Sequence, residues 1–260
     1  MLFKMLVDTT DFHEVTESTA IRWIADFTIQ RIVVRAGAMS NLTPELIYRR
    51  NLPHIQPPDG TFFVTFRLAG SIPADVLAML HAEAERIHAE LERMPASQER
   101  AERLYLEERR FFGKWDAVLD QGKEPDWLRS PGIAKLVADA MHFFDGKRYD
   151  LLAYCIMSNH VHVVFTPLLK AADAYYPLAQ IMHTMKGYTA GQANQLLSRS
   201  GAFWLHESYD HYVRSAAELE RILAYVASNP VKAGLVAEWQ DWPWTYYRDA
   251  QAGLSQASGL

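Results

Sequence analysis

Between residues 61 and 229 the spacing of apolar positions switches repeatedly between a period of two and one near 3.6. Residues 61–68, TFFVTFRL, are rich in aromatic and β-branched side chains and follow the turn signal Pro57-Pro58-Asp59-Gly60, which predicts a buried strand. In residues 73–93, Val76, Leu77, Leu80, Ala84, Ile87 and Leu91 recur at helical spacing, with Glu and Arg between them. Residues 94–126 alternate Glu and Arg, the pattern of a solvated helical face, and read as a helical insertion, not a binding site. Ser130 and Pro131 then open a helix that runs through Leu136, Val137 and Met141 and stops near Gly146.

Two strand-like runs follow, 149–157 and 160–166, joined by Ser158-Asn159 as a two-residue hairpin turn. Leu178, Ile181, Met182, Met185 and later Leu196 and Leu197 predict a helix interrupted or weakened at Gly187 and Gly191. Residues 207–213 read as a strand, and 215–229 as a helix whose capping box is Ser215 and Glu218. The order β, α with an insertion, β, β, α, β, α predicts an α+β fold. Its sheet is a ferredoxin-like or RRM-like split βαβ antiparallel sheet with helices on one face, and the insertion falls between the first and second strands. Residues 1–38 have no link to this pattern and are expected to be an N-terminal extension. Residues 39–250 form the working domain and 251–260 a tail.

The period of two also sorts the chemistry. In His160-Val161-His162-Val163-Val164-Phe165 it puts both histidines on one face, expected to stay open, and Val161, Val163 and Phe165 on the other. Paired imidazoles on a strand can converge on one metal ion or one phosphate, or they can be plain surface histidines. On the last helix, Leu219, Ile222, Leu223 and Val226 form the core stripe. Tyr225 and Asn229 share one flank at i and i+4. That pair could be chemical, or a packing tyrosine followed by the helix stop Asn229-Pro230. His206, Glu207, Asp210 and His211 are an alternative metal cluster, which strand alternation divides between two faces.

Composition narrows the partners. The 260 residues carry 26 Lys+Arg against 31 Asp+Glu, a formal net charge of −5, which excludes indiscriminate coating of duplex DNA but leaves room for a few placed cations. Lys186 and Arg214, with Lys232, are the basic residues nearest the candidate groups in sequence. Tyr48-Arg49-Arg50 could combine stacking with bidentate contacts. The aromatic cluster Trp239, Trp242, Trp244, Tyr246 and Tyr247 reads as a tail packed on its own domain. The single cysteine, Cys155, excludes an internal disulfide framework and a multi-thiolate zinc site and suits a reducing cytoplasm. No stretch reaches the ~20 apolar residues of a membrane helix.

Together, MSNHVHVVF at 157–165, Phe203-Trp204, Val213-Arg214 and the run Tyr225-Val226-Ala227-Ser228-Asn229-Pro230-Val231-Lys232-Ala233-Gly234 resemble the REP-associated tyrosine transposases, relatives of the single-tyrosine HUH transposases. The resemblance covers about residues 48–247. It implies a bacterial, cytoplasmic enzyme that cuts and rejoins single-stranded DNA at palindromic hairpins through a 5′-phosphotyrosine, as a monomer or homodimer. Tyr225 would be the nucleophile, His160, His162 and Asn229 would hold Mg²⁺ or Mn²⁺, and Tyr48, Arg49 and Arg50 would read bases beside the hairpin. Two rival classes remain: a protein of this fold that binds hairpins without cutting them, and a small-molecule metalloenzyme using the histidine pair.

Overall fold

The computed structural model describes residues 47–49, 53–55, 57, 59–122, 124–171 and 174–248. The expected extension 1–38, the tail 251–260 and Arg50 lie outside the described residues. A short ribbon of β1 (Ile47–Arg49) and β2 (Pro53–Ile55) precedes β3 (Phe62–Arg67), which is followed by helices α1 (Ala74–Glu92), α2 (Gln98–Gln121) and α3 (Pro131–Phe143). The hairpin β4 (Tyr149–Ile156) and β5 (His160–Pro167) comes next. The chain then forms the ribbon β6 (Leu169–Ala171) and β7 (Ala174–Tyr175), helix α4 (Leu178–Leu196), β8 (Tyr209–Tyr212), α5 (Ala216–Lys232) and β9 (Thr245–Tyr247). None of the helices described is long and apolar enough to cross a membrane.

The main sheet has the order β8-β3-β5-β4-β9 with every neighbouring pair antiparallel. Without β9, its strands fall in the fourth-first-third-second order of a split βαβ sheet, as expected. The β4–β5 hairpin closes around Ser158 and Asn159, where the Met157 amide donates to the His160 carbonyl at 2.9 Å. Helices cover both faces, which corrects the one-face expectation. Phe62, Val64, Phe66, Val161, Val163 and Phe165 pack beneath α3 and α4. Phe63, Val164, Cys155 and Met157 pack on the other face with Leu219, Leu223 and Val226 of α5 and Phe112 of α2. The reason is visible in β3: all six residues are buried, as in a strand apolar on both sides.

Two helices run unbroken past residues at which their sequences suggest a break. Helix α4 continues through Gly187 and Gly191, because Leu178, Ile181, Met182, Met185, Thr189 and Ala193 are buried along one face and outweigh the ~1 kcal/mol penalty of each glycine. Helix α5 passes Asn229-Pro230 and ends at Lys232. Past Pro230, the Ala233 amide donates to the Asn229 carbonyl at 2.9 Å and the Leu235 amide to the Pro230 carbonyl at 2.9 Å. Ser215 caps α5 by accepting from the Glu218 amide at 3.2 Å. The aromatic tail packs back on the domain, with Tyr246 and Tyr247 buried and the Trp242 indole donating to the Ile156 carbonyl at 3.0 Å.

Candidate metal centre and nucleophile

Alternation along β5 places His160 and His162 on the sheet face beneath α5 and α2, and the register sets Thr65 opposite His162 and Arg67 opposite His160. Both imidazoles are buried, at 1% and 0% exposure, so the histidine face is closed and not open to solvent. Asn159 orients the first ring. Its amide nitrogen donates to the carbonyls of Leu119 at 2.9 Å and Gly122 at 3.1 Å, so its Oδ1 must accept from His160 Nδ1 at 2.6 Å. Nε2 of His160 is then a bare lone pair. It points at His162 Nε2, 3.1 Å away, while His162 Nδ1 is tied to Thr65 Oγ1 at 2.8 Å. In both rings the far nitrogen is held by a polar group and the two Nε2 atoms face each other, the usual support of a metal-ligating histidine.

Asp116 of α2 joins them, so residues 94–126 are not wholly a solvated face: Phe112, Asp116 and Leu119 are buried. Oδ1 of Asp116 lies 3.3 Å from His162 Nε2, and one donor atom from each of Asp116, His160 and His162 falls within 4.8 Å of the others. Lys232 Nζ stands 3.5 Å from Asp116 Oδ2 and 3.8 Å from Asp120 Oδ2. Burial alone would raise the Asp116 carboxyl, but the adjoining His162 outweighs it and holds the group below the usual range. Asp120 is shifted upward by burial and by the charge of Asp116. Burial pushes the His160 imidazole down to about 3, favouring the neutral form that can bind a cation.

Tyr225 closes the group from α5. Its ring centroid lies 5.4 Å from that of His162, and Phe63 and Phe112 flank it at 6.1 and 5.8 Å. Burial, then the negative charge of Asp116, raises the phenol well above its ordinary value. Asn229, one turn later, is wholly buried. Beside Tyr225 a cleft open to solvent is lined by residues that include Tyr105, Arg109, Tyr209, His211 and Ile222. At its edge the buried Glu218 carboxylate accepts from the Tyr105 hydroxyl at 2.6 Å and the Arg214 amide at 2.7 Å, and contacts His211 Nε2 at 3.0 Å. This ties α2 and β8 to α5.

The remaining candidates lie apart. Lys186 is on α4, across the sheet, where its ammonium donates to the His206 carbonyl at 2.7 Å and Ser208 Oγ at 3.0 Å. The Arg214 guanidinium lies over the Tyr105 ring at 4.7 Å, next to the cleft. Tyr48 and Arg49 are on β1, paired with His54 and Pro53. His206 contacts Glu207 at 3.1 Å at the surface, while His211 belongs to the Glu218 group, so that set forms no single site. Cys155 is wholly buried and its thiol is pushed up to about 12 by burial, which leaves it a packing residue. Sequence reasoning missed Asp116, Asn159 and Thr65. The stripe Phe112, Trp115 and Leu119, with Asp116 and Asp120 beside it, is the signal that the second half of the insertion is not wholly solvated.

Residues 133–229 match the sequence model of the family described as Transposase IS200 like. Two curated relatives are similar to this chain. One, provisionally named a REP-associated tyrosine transposase, from Haemophilus influenzae, is 26% identical over 115 residues, covering 41% of this chain and 64% of the relative. The other, a REP-associated tyrosine transposase from Escherichia coli, is 24% identical over 107 residues, covering 41% and 59%. This chain thus spans less than two thirds of either relative. A solved REP-associated tyrosine transposase bound to a REP hairpin aligns with 83% of this chain and 88% of its own, at a TM-score of 0.47 and 16% identity.

Proposed function

We propose that this chain is a transposase of the IS200-like kind that cuts and rejoins single-stranded DNA at hairpins, with Tyr225 as its nucleophile. One observation carries the reading: a tyrosine ring 5.4 Å from one of two imidazoles with convergent Nε2 atoms, all within the segment that matches the family. Tyr225 Oη forms a bond to the scissile phosphorus as the bond to the 3′ oxygen breaks. The phenol gives up one proton and the leaving oxygen takes one, so the step is neutral in protons and yields a 5′-phosphotyrosine and a 3′-hydroxyl. Attack by a 3′-hydroxyl reverses it, and no nucleotide is consumed.

The donor set fits a divalent cation, because both histidines have their far nitrogens tied and their Nε2 atoms 3.1 Å apart. Mg²⁺ or Mn²⁺ held by His160, His162 and Asn229 would supply Lewis acidity toward the scissile phosphate and the leaving oxygen. Phe63 and Phe112 fix the plane of the Tyr225 ring, and Thr65 and Asn159 fix those of the histidines. Tyr48, Arg49 and Arg50 read bases beside the hairpin, and Arg214 at the cleft receives a phosphate. Lys186, engaged across the sheet, contributes at most at the periphery.

The burial of His160 and His162 favours a second reading, a hairpin-binding protein that does not cut. One assay separates the two. The protein is incubated with a single-stranded palindromic hairpin and Mn²⁺ or Mg²⁺ and run on a denaturing gel. Cutting gives a covalent adduct that disappears in Tyr225→Phe. An adduct retained by Tyr225→Phe refutes the nucleophile, and hairpin binding without any adduct establishes the second reading.

A further inference from the structure

We propose that Asp116, on the helix inserted between β3 and β4, is a further protein ligand of the divalent cation, and that Lys232 is the charge this cation replaces. The inference rests on the reading of His160 and His162 as cation ligands. Asp116 lies outside the segment that matches the transposase family, and its role follows from geometry alone.

Adjacent ligand atoms around an octahedral ion with bonds of 2.0–2.1 Å stand about 3 Å apart. The separations of 3.1 Å between the two Nε2 atoms and 3.3 Å between His162 Nε2 and Asp116 Oδ1 are close to that spacing. Asp116 is 2% exposed, and His162, the Tyr225 phenol and Lys232 face its carboxylate without any of them meeting full hydrogen-bond geometry. A buried carboxylate without full hydrogen bonds is costly unless a cation neutralises it. Among the described residues, Lys232 is the ammonium in ion-pair range, and at 48% side-chain exposure it can withdraw into solvent without being stranded.

The same helix also sets the neighbouring ligand. The Leu119 carbonyl, three residues beyond Asp116, holds the Asn159 amide that fixes the His160 tautomer. Phe112, one turn before Asp116, packs its ring 6.3 Å from that of His162. Successive turns of α2 therefore pack the histidines, supply the carboxylate and orient the imidazole. A surface insertion with no part in the site would place no such series there.

The test is Mn²⁺ binding to the full chain without DNA, by calorimetry and by the Mn²⁺ electron paramagnetic resonance signal of the free ion, for wild type, Asp116→Asn, Asp116→Ser, His160→Ala and Lys232→Gln. A folded, unchanged thermal transition in metal-free buffer qualifies each variant. At least tenfold weaker binding in either qualified Asp116 variant, with tighter binding in Lys232→Gln, is expected. Wild-type affinity in a qualified Asp116 variant, while His160→Ala loses binding, overturns the Asp116 assignment and leaves the histidine reading standing. Unchanged affinity in Lys232→Gln overturns the displacement. Failure of the wild type to bind Mn²⁺, or undiminished binding in His160→Ala, overturns the inference together with the reading beneath it.

Discussion

Glu218 is 4% exposed and receives the Tyr105 hydroxyl and the Arg214 amide, so its charge is expected to hold the inserted helix α2 against α5. Burial by itself would raise this carboxyl, but contacts with His211, Tyr105 and the Arg214 amide hold it at about 2, against an ordinary 4.5. The folded state thus binds its proton less readily than the unfolded chain. The resulting stability is complete above pH 4.5 and is lost as pH falls toward 2. At 1.36 kcal/mol per pH unit the full difference is ~3 kcal/mol, which solvent in the adjoining cleft screens to about 2 kcal/mol. Glu218→Gln keeps the shape and removes the charge. Urea unfolding should show it about 2 kcal/mol less stable than wild type at pH 7, with the gap narrowing to less than half by pH 3. Tyr105→Phe should be less costly, about 1 kcal/mol, and the double variant should show coupling above ~0.5 kcal/mol. A gap between Glu218→Gln and wild type that stays constant from pH 7 to pH 3 would refute the depressed carboxyl, and additivity with Tyr105→Phe would refute the shared bond.

Asn159→Ala frees the His160 ring and removes the donors to Leu119 and Gly122. Mn²⁺ affinity measured by calorimetry should fall about tenfold, and an unchanged affinity would show that the ring is oriented by something else. Trp204→Phe removes a buried indole that donates to Thr189 Oγ1 at 2.8 Å on the opposite sheet face. It should cost ~2 kcal/mol in urea unfolding while leaving the yield of DNA adduct unchanged, and a lost adduct in a folded variant would contradict the separation of the two faces.

The elements were legible where a single period governs them. TFFVTFRL and the 149–166 hairpin became β3, β4 and β5, and the capping box at Ser215 became the start of α5. Errors arose where tertiary packing outweighs local preference. Buried anchors carry α4 across its glycines, and α5 runs through Pro230 because the following amides find carbonyls beyond it. The one-face expectation failed because the histidines were treated as marking a solvated face, although Phe63 and Val164 on that face announce a second buried layer.

For the site, the sequence by itself determined two local pairings: His160 with His162, through the alternation of a strand, and Tyr225 with Asn229, through the pitch of a helix. Both are fixed by covalent spacing and backbone geometry, so no other part of the chain can change them. Only the tertiary structure decided that these pairs meet, that the histidine face is covered, and that Asp116 enters from a stretch whose charges resemble a solvated helix. Such contacts span 46 residues between Asp116 and His162 and depend on how α2 docks. Docking is set by the summed packing of Phe112, Glu218 and the sheet beneath them, which no period along the chain encodes.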